Sequence, residues 1–184
     1  MPRNHIPEPW KSFLSEIDAA VAEPVEFECL GGFVIKALYG LPRPTADVDV
    51  LSIAPGTQRA FILELAGRGS PLHKKYRLSI EYVTVAVVPE DYEDRLTEMS
   101  SGSFSRLRLL ALDPYDLALS KLERNTQRDR DDVKFLAEKV PLDLQILKQR
   151  YEKELRPNLG NPGREDLTLQ LWIEAIIEQR AGRL

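Results

Sequence analysis

The sequence is poor in cysteine and histidine. Its 184 residues include one cysteine, Cys29, and two histidines, His5 and His73. A single cysteine excludes a disulfide within the chain and fits a reducing compartment. Cys29 stands among strand-forming residues, so we expect it to pack in the core. Neither histidine has a partner that the sequence identifies, and no role is assigned to them.

The sequence also lacks long apolar runs and an excess of positive charge. No segment approaches the ~18 apolar residues of a membrane-spanning helix. The opening residues, MPRNHIPEPW, lack the apolar stretch of a secretory signal, so we expect a cytoplasmic protein. The net charge of −4 argues against general affinity for nucleic acid, and any RNA contact therefore requires a local basic patch.

What the sequence does contain is a distinctive stretch from Gly31 to Asp49. Residues 26–30, EFECL, have the composition of a buried strand. After the paired glycines, residues 33–40 read as a short helix that is apolar nearly all round, and two prolines then prevent its continuation. Residues 46–53 alternate as a strand, which places both aspartates of the stretch on one face.

This alternation points to a particular chemistry. Asp47 and Asp49 lie roughly 6.5–7 Å apart on one strand face, and they repel each other unless a cation or proton lies between them. Mg²⁺ suits such a pair. Gly31 and Gly32 allow close approach of the backbone to a phosphate at a helix N-terminus. Alternatively, the aspartates are solvated residues of an edge strand and the glycines mark a turn.

The string GGFVIKALYGLPRPTADVDV, residues 31–50, resembles the signature of the DNA polymerase β-type nucleotidyltransferase superfamily. The resemblance is to its minimal bacterial branch, which includes AbiEii-like toxins. In this branch, paired glycines are followed by a helix that ends in glycine, then an arginine, a serine or threonine, and the metal-binding Asp-x-Asp pair. Gly40, Arg43 and Thr45 match that extension.

The resemblance implies a fold and an activity. The fold is α/β, with a nucleotidyltransferase-type mixed sheet flanked by helices and a helical C-terminal part. The activity is Mg²⁺-dependent transfer of a nucleoside monophosphate from an NTP to a hydroxyl, with two metal ions during catalysis. Asp47 and Asp49 would bind the metal, and the nucleotide phosphates would be held by Gly31, Gly32, Arg43 and Thr45.

Two further site residues follow from the same resemblance. The superfamily takes a third carboxylate from a neighbouring strand, and Glu81 is the only charge in the β-forming segment 78–88. Alternatively, Glu81 is an exposed residue on the solvent face. Residues 116–136 resemble a segment downstream of the active site, which implies that Lys121 reaches the nucleotide phosphates. Alternatively, Lys121 lies at a helix surface, and Asp129 and Asp132 tie two helices together.

The resemblance implies a nucleotidyltransferase core over residues 1–112, with an N-terminal helix, and a helical part over 113–184 that completes the cleft. The predicted helices cover 7–22, 57–68, 89–99, a segment beginning at Asp113, 127–139, 141–156 and 164–180, and a further strand covers 106–112. The last helix is expected to bury Leu167, Leu171, Trp172, Ala175 and Ile176.

The acceptor is left open by the sequence. Residues 65–80 contain no acidic residue but hold Arg68, Lys74, Lys75 and Arg77, a cationic stretch that would attract a triphosphate or an RNA backbone, or else a solvated loop. The AbiEii-like resemblance implies an RNA acceptor such as a tRNA end, with an antitoxin or a second copy of the chain as partner. A protein hydroxyl or a small molecule are the alternatives, as is a degenerate fold that serves as a nucleotide-binding or protein-interaction module.

Overall fold

The computed structural model of the chain describes residues 5–182. The strands are β1 (Val25–Leu30), β2 (Asp47–Ala54), β3 (Ser79–Tyr82), β4 (Thr97–Met99) and β5 (Leu107–Ala111). The α-helices are α1 (Trp10–Ala20), α2 (Gly31–Val34), α3 (Arg59–Ala66), α4 (Pro71–Tyr76), α5 (Pro114–Leu119), α6 (Gln127–Lys139), α7 (Leu144–Arg150) and α8 (Gly163–Ala181). Helices α2 and α7 continue in π-helical turns, Ile35–Tyr39 and Tyr151–Leu155, and short 3₁₀ turns cover Gly56–Gln58, Tyr92–Arg95 and Arg156–Asn158.

The five strands form one mixed sheet in the order β3-β2-β1-β5-β4. Strand β1 is antiparallel to β2 and parallel to β5, β2 is parallel to β3, and β4 is antiparallel to β5. Parallel neighbours require crossover connections, and the chain supplies helices for them. The predicted α/β fold with a mixed sheet is confirmed.

The chain divides into two compact units. The first holds the sheet and helices α1–α4, up to Ala86, together with Leu96–Leu112. The second holds Val87–Arg95 and the chain from Asp113 onward. The chain passes from the first unit to the second after Leu112, and Val87–Arg95 is a separate segment of the second unit.

The buried residues of the first unit recur at the spacings expected for a helix and a strand. Helix α1 buries Trp10, Phe13, Leu14 and Ile17 at helical spacing, and β1 buries Cys29, where burial raises the pKa of the thiol. Strand β2 begins with strict alternation, but a bulge opposite Glu28 and Cys29 interrupts it. Beyond the bulge the inward-facing positions change parity, so that Ile53 is buried.

Three local predictions for residues 65–99 were wrong. Residues 89–99 do not form a helix: Thr97–Met99 pairs with β5, because strand pairing outweighs local helix preference, and only a 3₁₀ turn precedes it. Strand β3 covers four residues instead of 78–88. The basic stretch 65–80 contains α4, which begins with Ser70 as N-cap and Pro71 in the first turn, a helix-start signal that sequence reasoning missed.

The second unit is helical, and its helix starts agree with their sequence signals. Asp113 caps α5 by accepting the backbone N–H of Tyr115 and Asp116, and Thr126 forms a capping box with Asp129 at the start of α6. The residues that helix α8 buries agree only in part with the predicted ones. Its buried residues are Glu165, Thr168, Leu169, Trp172 and Ile176, whereas Leu167, Leu171 and Ala175 are exposed.

Across residues 5–182, the helices are all too short or too polar to traverse a lipid bilayer.

Candidate active site

Three carboxylates lie on one face of the sheet. The alternation of β2 places Asp47 and Asp49 on the face opposite the buried Val48 and Val50. The parallel register of β2 with β3 pairs Asp49 with Glu81. Register partners on adjacent strands share a face and are separated by about 4.7–4.9 Å between strands. Local alternation and one strand pairing therefore bring together all three predicted carboxylates.

Ser79 connects two of these carboxylates. It is the register partner of Asp47, and its hydroxyl donates to Oε1 of Glu81 at 2.9 Å and lies 3.3 Å from Oδ1 of Asp47. Because a hydroxyl carries a single proton, it satisfies one acceptor at a time, and the shorter distance favours Glu81. Ser79 thus fixes the orientation of the Glu81 side chain.

A cation already lies among the carboxylates of this face. Arg68, in the turn between α3 and α4, donates from Nε to Oε1 of Glu81 at 3.2 Å. Its Nη2 lies 3.1 Å from the same oxygen and 3.6 Å from Oδ1 of Asp47. The guanidinium therefore bridges two of the three carboxylates, a contact that the sequence did not predict.

The paired glycines pack against the same group of side chains. Gly31 has φ +75°, and a Cβ there would lie 2.2 Å from Oδ2 of Asp49. A Cβ on Gly32 would lie 3.0 Å from Nη2 of Arg43 and 3.2 Å from Oγ1 of Thr45. The first position excludes any side chain, and the second is tight. The glycines, Arg43, Thr45 and Asp49 thus form one continuous surface.

The loop that carries Arg43 and Thr45 is held by a lysine. Gly40, at φ 79°, ends the helical segment, and Nζ of Lys36 then donates to the carbonyl oxygens of Leu41 (3.0 Å), Pro42 (3.4 Å) and Arg43 (3.1 Å). Two prolines leave this loop with few backbone donors of its own. Sequence reasoning missed this role, although Lys36 is the one charged residue in an otherwise apolar helix.

Lys121 lies in the second unit, and its charge is directed to carboxylates there. It follows α5, its side chain is buried, and its Nζ lies 2.9 Å from Oδ2 of Asp132 and 3.5 Å from Oδ1 of Asp129. Both aspartates are fully buried. This is the contact of the alternative interpretation, in which Asp129 and Asp132 tie helices together. That Lys121 reaches nucleotide phosphates stays a prediction.

The other members of the basic stretch 65–80 have different environments. Lys75 pairs with Glu16, which also accepts from the hydroxyl of Tyr76. His73 accepts the backbone N–H of Gly69 on Nδ1. Lys74 and Arg77 have exposed side chains. The stretch is therefore a structured turn and helix with exposed cations, of which Lys75 and Arg68 contact carboxylates.

The carboxylates on this face are oxygen ligands of the kind that hard divalent cations take. Within residues 5–182, no three His, Cys, Asp or Glu side chains converge as a ready-made metal-binding group. The guanidinium of Arg68 holds Asp47 and Glu81 where a cation would. Carboxylate oxygens are the ligands that Mg²⁺ prefers, and it commonly takes one or two of them together with substrate phosphates. The donor set fits such an ion once Arg68 moves aside.

Comparison with protein families places most of the chain within a known family. The model of a family described as "Nucleotidyltransferase of unknown function (DUF6036)" matches residues 14–178. The matched segment contains every carboxylate, glycine and cation described above. Comparisons with curated proteins and with solved structures give no match.

Proposed function

Because the chain belongs to this nucleotidyltransferase family, whose model spans nearly its whole length, we propose that it transfers a nucleoside monophosphate from an NTP to a hydroxyl in a Mg²⁺-dependent reaction. The family membership confirms the predicted superfamily. Its description does not specify AbiEii-like toxins, so that finer assignment stays a prediction.

One observation carries the proposal: the register that pairs Asp49 with Glu81 beside Asp47, on a face where a cation already bridges two carboxylates. Like charges on adjacent strands destabilise a sheet unless they are neutralised. A cluster of this kind, half exposed and next to a glycine turn that excludes side chains, is suited to a hydrated metal ion and a triphosphate.

The proposed reaction divides the roles among these residues. Asp47, Asp49 and Glu81 would hold Mg²⁺, and a bound ion would supply Lewis-acid polarisation of the α-phosphate and neutralise the charge that develops there. The acceptor oxygen forms a bond to the α-phosphorus while the bond to the bridging oxygen breaks, and pyrophosphate leaves. Glu81 takes the proton of the acceptor hydroxyl.

The glycines and the loop position the nucleotide. The backbone N–H groups of Gly31 and Gly32 face the β- and γ-phosphates, where the absence of side chains permits close approach. Arg43 and Thr45, which border Gly32, add a bidentate donor and a hydroxyl. Lys36 keeps that loop in place through three carbonyl contacts.

The acceptor we propose is RNA, such as a tRNA end, in a toxin–antitoxin setting with an antitoxin or a second copy as partner. Its support is the resemblance of residues 31–50 and the outward-facing Lys74 and Arg77. A protein hydroxyl or a small molecule would use the same carboxylates.

The test is label transfer. The protein is incubated with each radiolabelled NTP, Mg²⁺, and either total RNA or lysate protein, and the labelled fraction is identified. Glu81→Gln should abolish labelling and retain nucleotide binding, whereas the matched control Glu98→Gln, in β4 of the same sheet, should label as the wild type does. Full labelling by Glu81→Gln would exclude it as the third ligand and the proton acceptor. Labelling of protein alone would exclude RNA as the acceptor.

A further inference from the structure

Arg68 is placed at the carboxylates by the backbone around it. It lies between Gly67 and Gly69 in the turn that joins α3 to α4. A Cβ on Gly67 would lie 2.4 Å from the carbonyl oxygen of Leu63, and Gly69 has φ +83°. This turn therefore has a conformation that side chains would prevent. The tight turn directs the Arg68 side chain to β2 and β3.

The contact is open to solvent. The side chain of Arg68 is 69% exposed, that of Asp47 is 40% exposed and that of Glu81 is 33% exposed. Exposed ion pairs are weak and exchange readily. The charged groups on this face include Arg68 and the three carboxylates Asp47, Asp49 and Glu81, and the guanidinium of Arg43 lies beside the neighbouring Gly32. The uncharged Ser79 hydroxyl lies between Asp47 and Glu81. A cation from solution can therefore replace the guanidinium.

On the premise that the three carboxylates bind metal as proposed above, we propose that Arg68 is a resident counter-ion that competes with the metal. The guanidinium and Mg²⁺ use the same oxygens of Asp47 and Glu81, and their like charges repel each other at short range. Arg68 thus lowers the affinity for metal alone. It makes metal binding depend on an arriving nucleotide.

The nucleotide removes this competition in two ways. Its phosphates add ligands to the metal, and they offer the displaced guanidinium an acceptor of matching geometry, because arginine binds phosphate oxygens in a bidentate manner. Arg68 is then a positioning residue that couples metal binding to nucleotide binding. Without Arg68, the site binds metal at a lower metal concentration, and the nucleotide adds less to the affinity for metal.

The experiment measures Mn²⁺ binding, by the loss of the free-ion signal in electron paramagnetic resonance, with and without a non-hydrolysable NTP analogue. Arg68→Gln should bind Mn²⁺ alone more tightly, by up to about fivefold, the change that corresponds to an exposed ion pair. Arg68→Lys should fall between this variant and the wild type. The gain in Mn²⁺ affinity on adding the analogue should shrink in Arg68→Gln.

Arg59→Gln is the matched control. Arg59 begins α3 and lies over the ring of Tyr82, so its loss removes one positive charge near β3 without touching the carboxylates, and its Mn²⁺ affinity should equal that of the wild type. If the wild type binds Mn²⁺ through Asp49 and Arg68→Gln binds it equally or more weakly, the role of Arg68 is overturned and the proposed function stands. If no variant binds Mn²⁺ even with the analogue, the proposed function itself is wrong.

Discussion

The two units of the protein both contain clusters of opposite charges. The clusters differ in how deeply the carboxylates are buried and in how many cationic groups contact them. In the second unit, Asp116 is fully buried and accepts from Arg95 at 2.9 Å and from Arg150 at 3.0 Å. Lys121 is likewise buried with its two aspartates. In the first unit, the side chains of Asp47 and Glu81 are partly exposed, and both contact the largely exposed guanidinium of Arg68.

This difference distinguishes structural charges from exchangeable ones. Removing one partner of a buried pair leaves an uncompensated charge at low dielectric, which is strongly destabilising. An exposed pair contributes little to stability, so its loss changes mainly what the surface can bind. Removal of one carboxylate charge should therefore mainly lower the stability of the second unit, whereas in the first unit it should mainly change what the surface binds.

The largest effect expected is that of Asp49→Asn on activity. Transfer should fall at least about a hundredfold, because metal-ion stabilisation of the transition state is worth several kcal/mol, while the melting temperature without ligand stays unchanged. The rise in melting temperature produced by Mg²⁺ with an NTP should also be lost. Thermal melting and label transfer measure both.

Its counterpart is Asp132→Asn, which leaves the buried Lys121 with Asp129 as its remaining carboxylate within salt-bridge distance. This variant should lose about 3 kcal/mol of unfolding free energy, measured by denaturant titration. An unstable Asp49→Asn protein together with an unaffected Asp132→Asn protein would reverse the assignment of the two clusters.

A smaller effect should distinguish two consequences of a side chain at Gly31, namely the steric contact with Asp49 and the strain of a positive φ. Gly31→Ala incurs the strain of a positive φ, about 1–2 kcal/mol, and also displaces Asp49, whose Oδ2 would lie 2.2 Å from the new Cβ. Gly102 has φ +77° with open space around it, so Gly102→Ala should incur the same strain and keep full transfer activity. Equal activities in the two variants would show that the contact with Asp49 does not matter.

The smallest effect concerns acid stability. Burial alone would raise the pKa of Asp129, but hydrogen bonds from Arg124 and Thr126 and the charge of Lys121 hold this pKa well below its usual range. The folded state then binds fewer protons than the unfolded state below the usual pKa of about 3.9. The contribution of Asp129 to the unfolding free energy is therefore fully present above pH ~4, and it is lost as the pH falls below that value.

Asp129→Asn should therefore be less stable than the wild type near neutrality and lose less stability on acidification between about pH 4 and pH 2. Asp131→Asn, on the exposed side of the same helix, serves as the charge-matched control. Denaturant titrations at a series of pH values provide the comparison. A steeper acid loss in Asp129→Asn than in the wild type would contradict the direction of the pKa shift.

The sequence predicted the parts of the site that depend on local patterns. Alternation places Asp47 and Asp49 on one face, and the glycine pair marks a close approach, since both follow from the geometry of short segments. The placement of Glu81 opposite Asp49 agrees with the register of β2 and β3. That its carboxylate binds metal stays a prediction.

The contacts missed by sequence reasoning depend on tertiary placement. Arg68 reaches Glu81 across thirteen residues only because of the turn between α3 and α4. The bulge in β2 depends on pairing with β1, and the short β4 exists because β5 offers it an edge. Hydrophobic periodicity carries no information about such pairings. For α8 it correctly predicted burial of Trp172 and Ile176 but wrongly predicted burial of Leu167, Leu171 and Ala175.

The parallel pairing of β2 with β3 has a consequence for folding. Bringing Glu81 beside Asp47 and Asp49 concentrates negative charge as the two strands zip together. The crossover that makes this pairing possible also delivers Arg68 to the same place. The newly made chain therefore carries its own neutralising charge, and its folding does not have to wait for a metal ion. We expect a chelator to inactivate the enzyme without unfolding it.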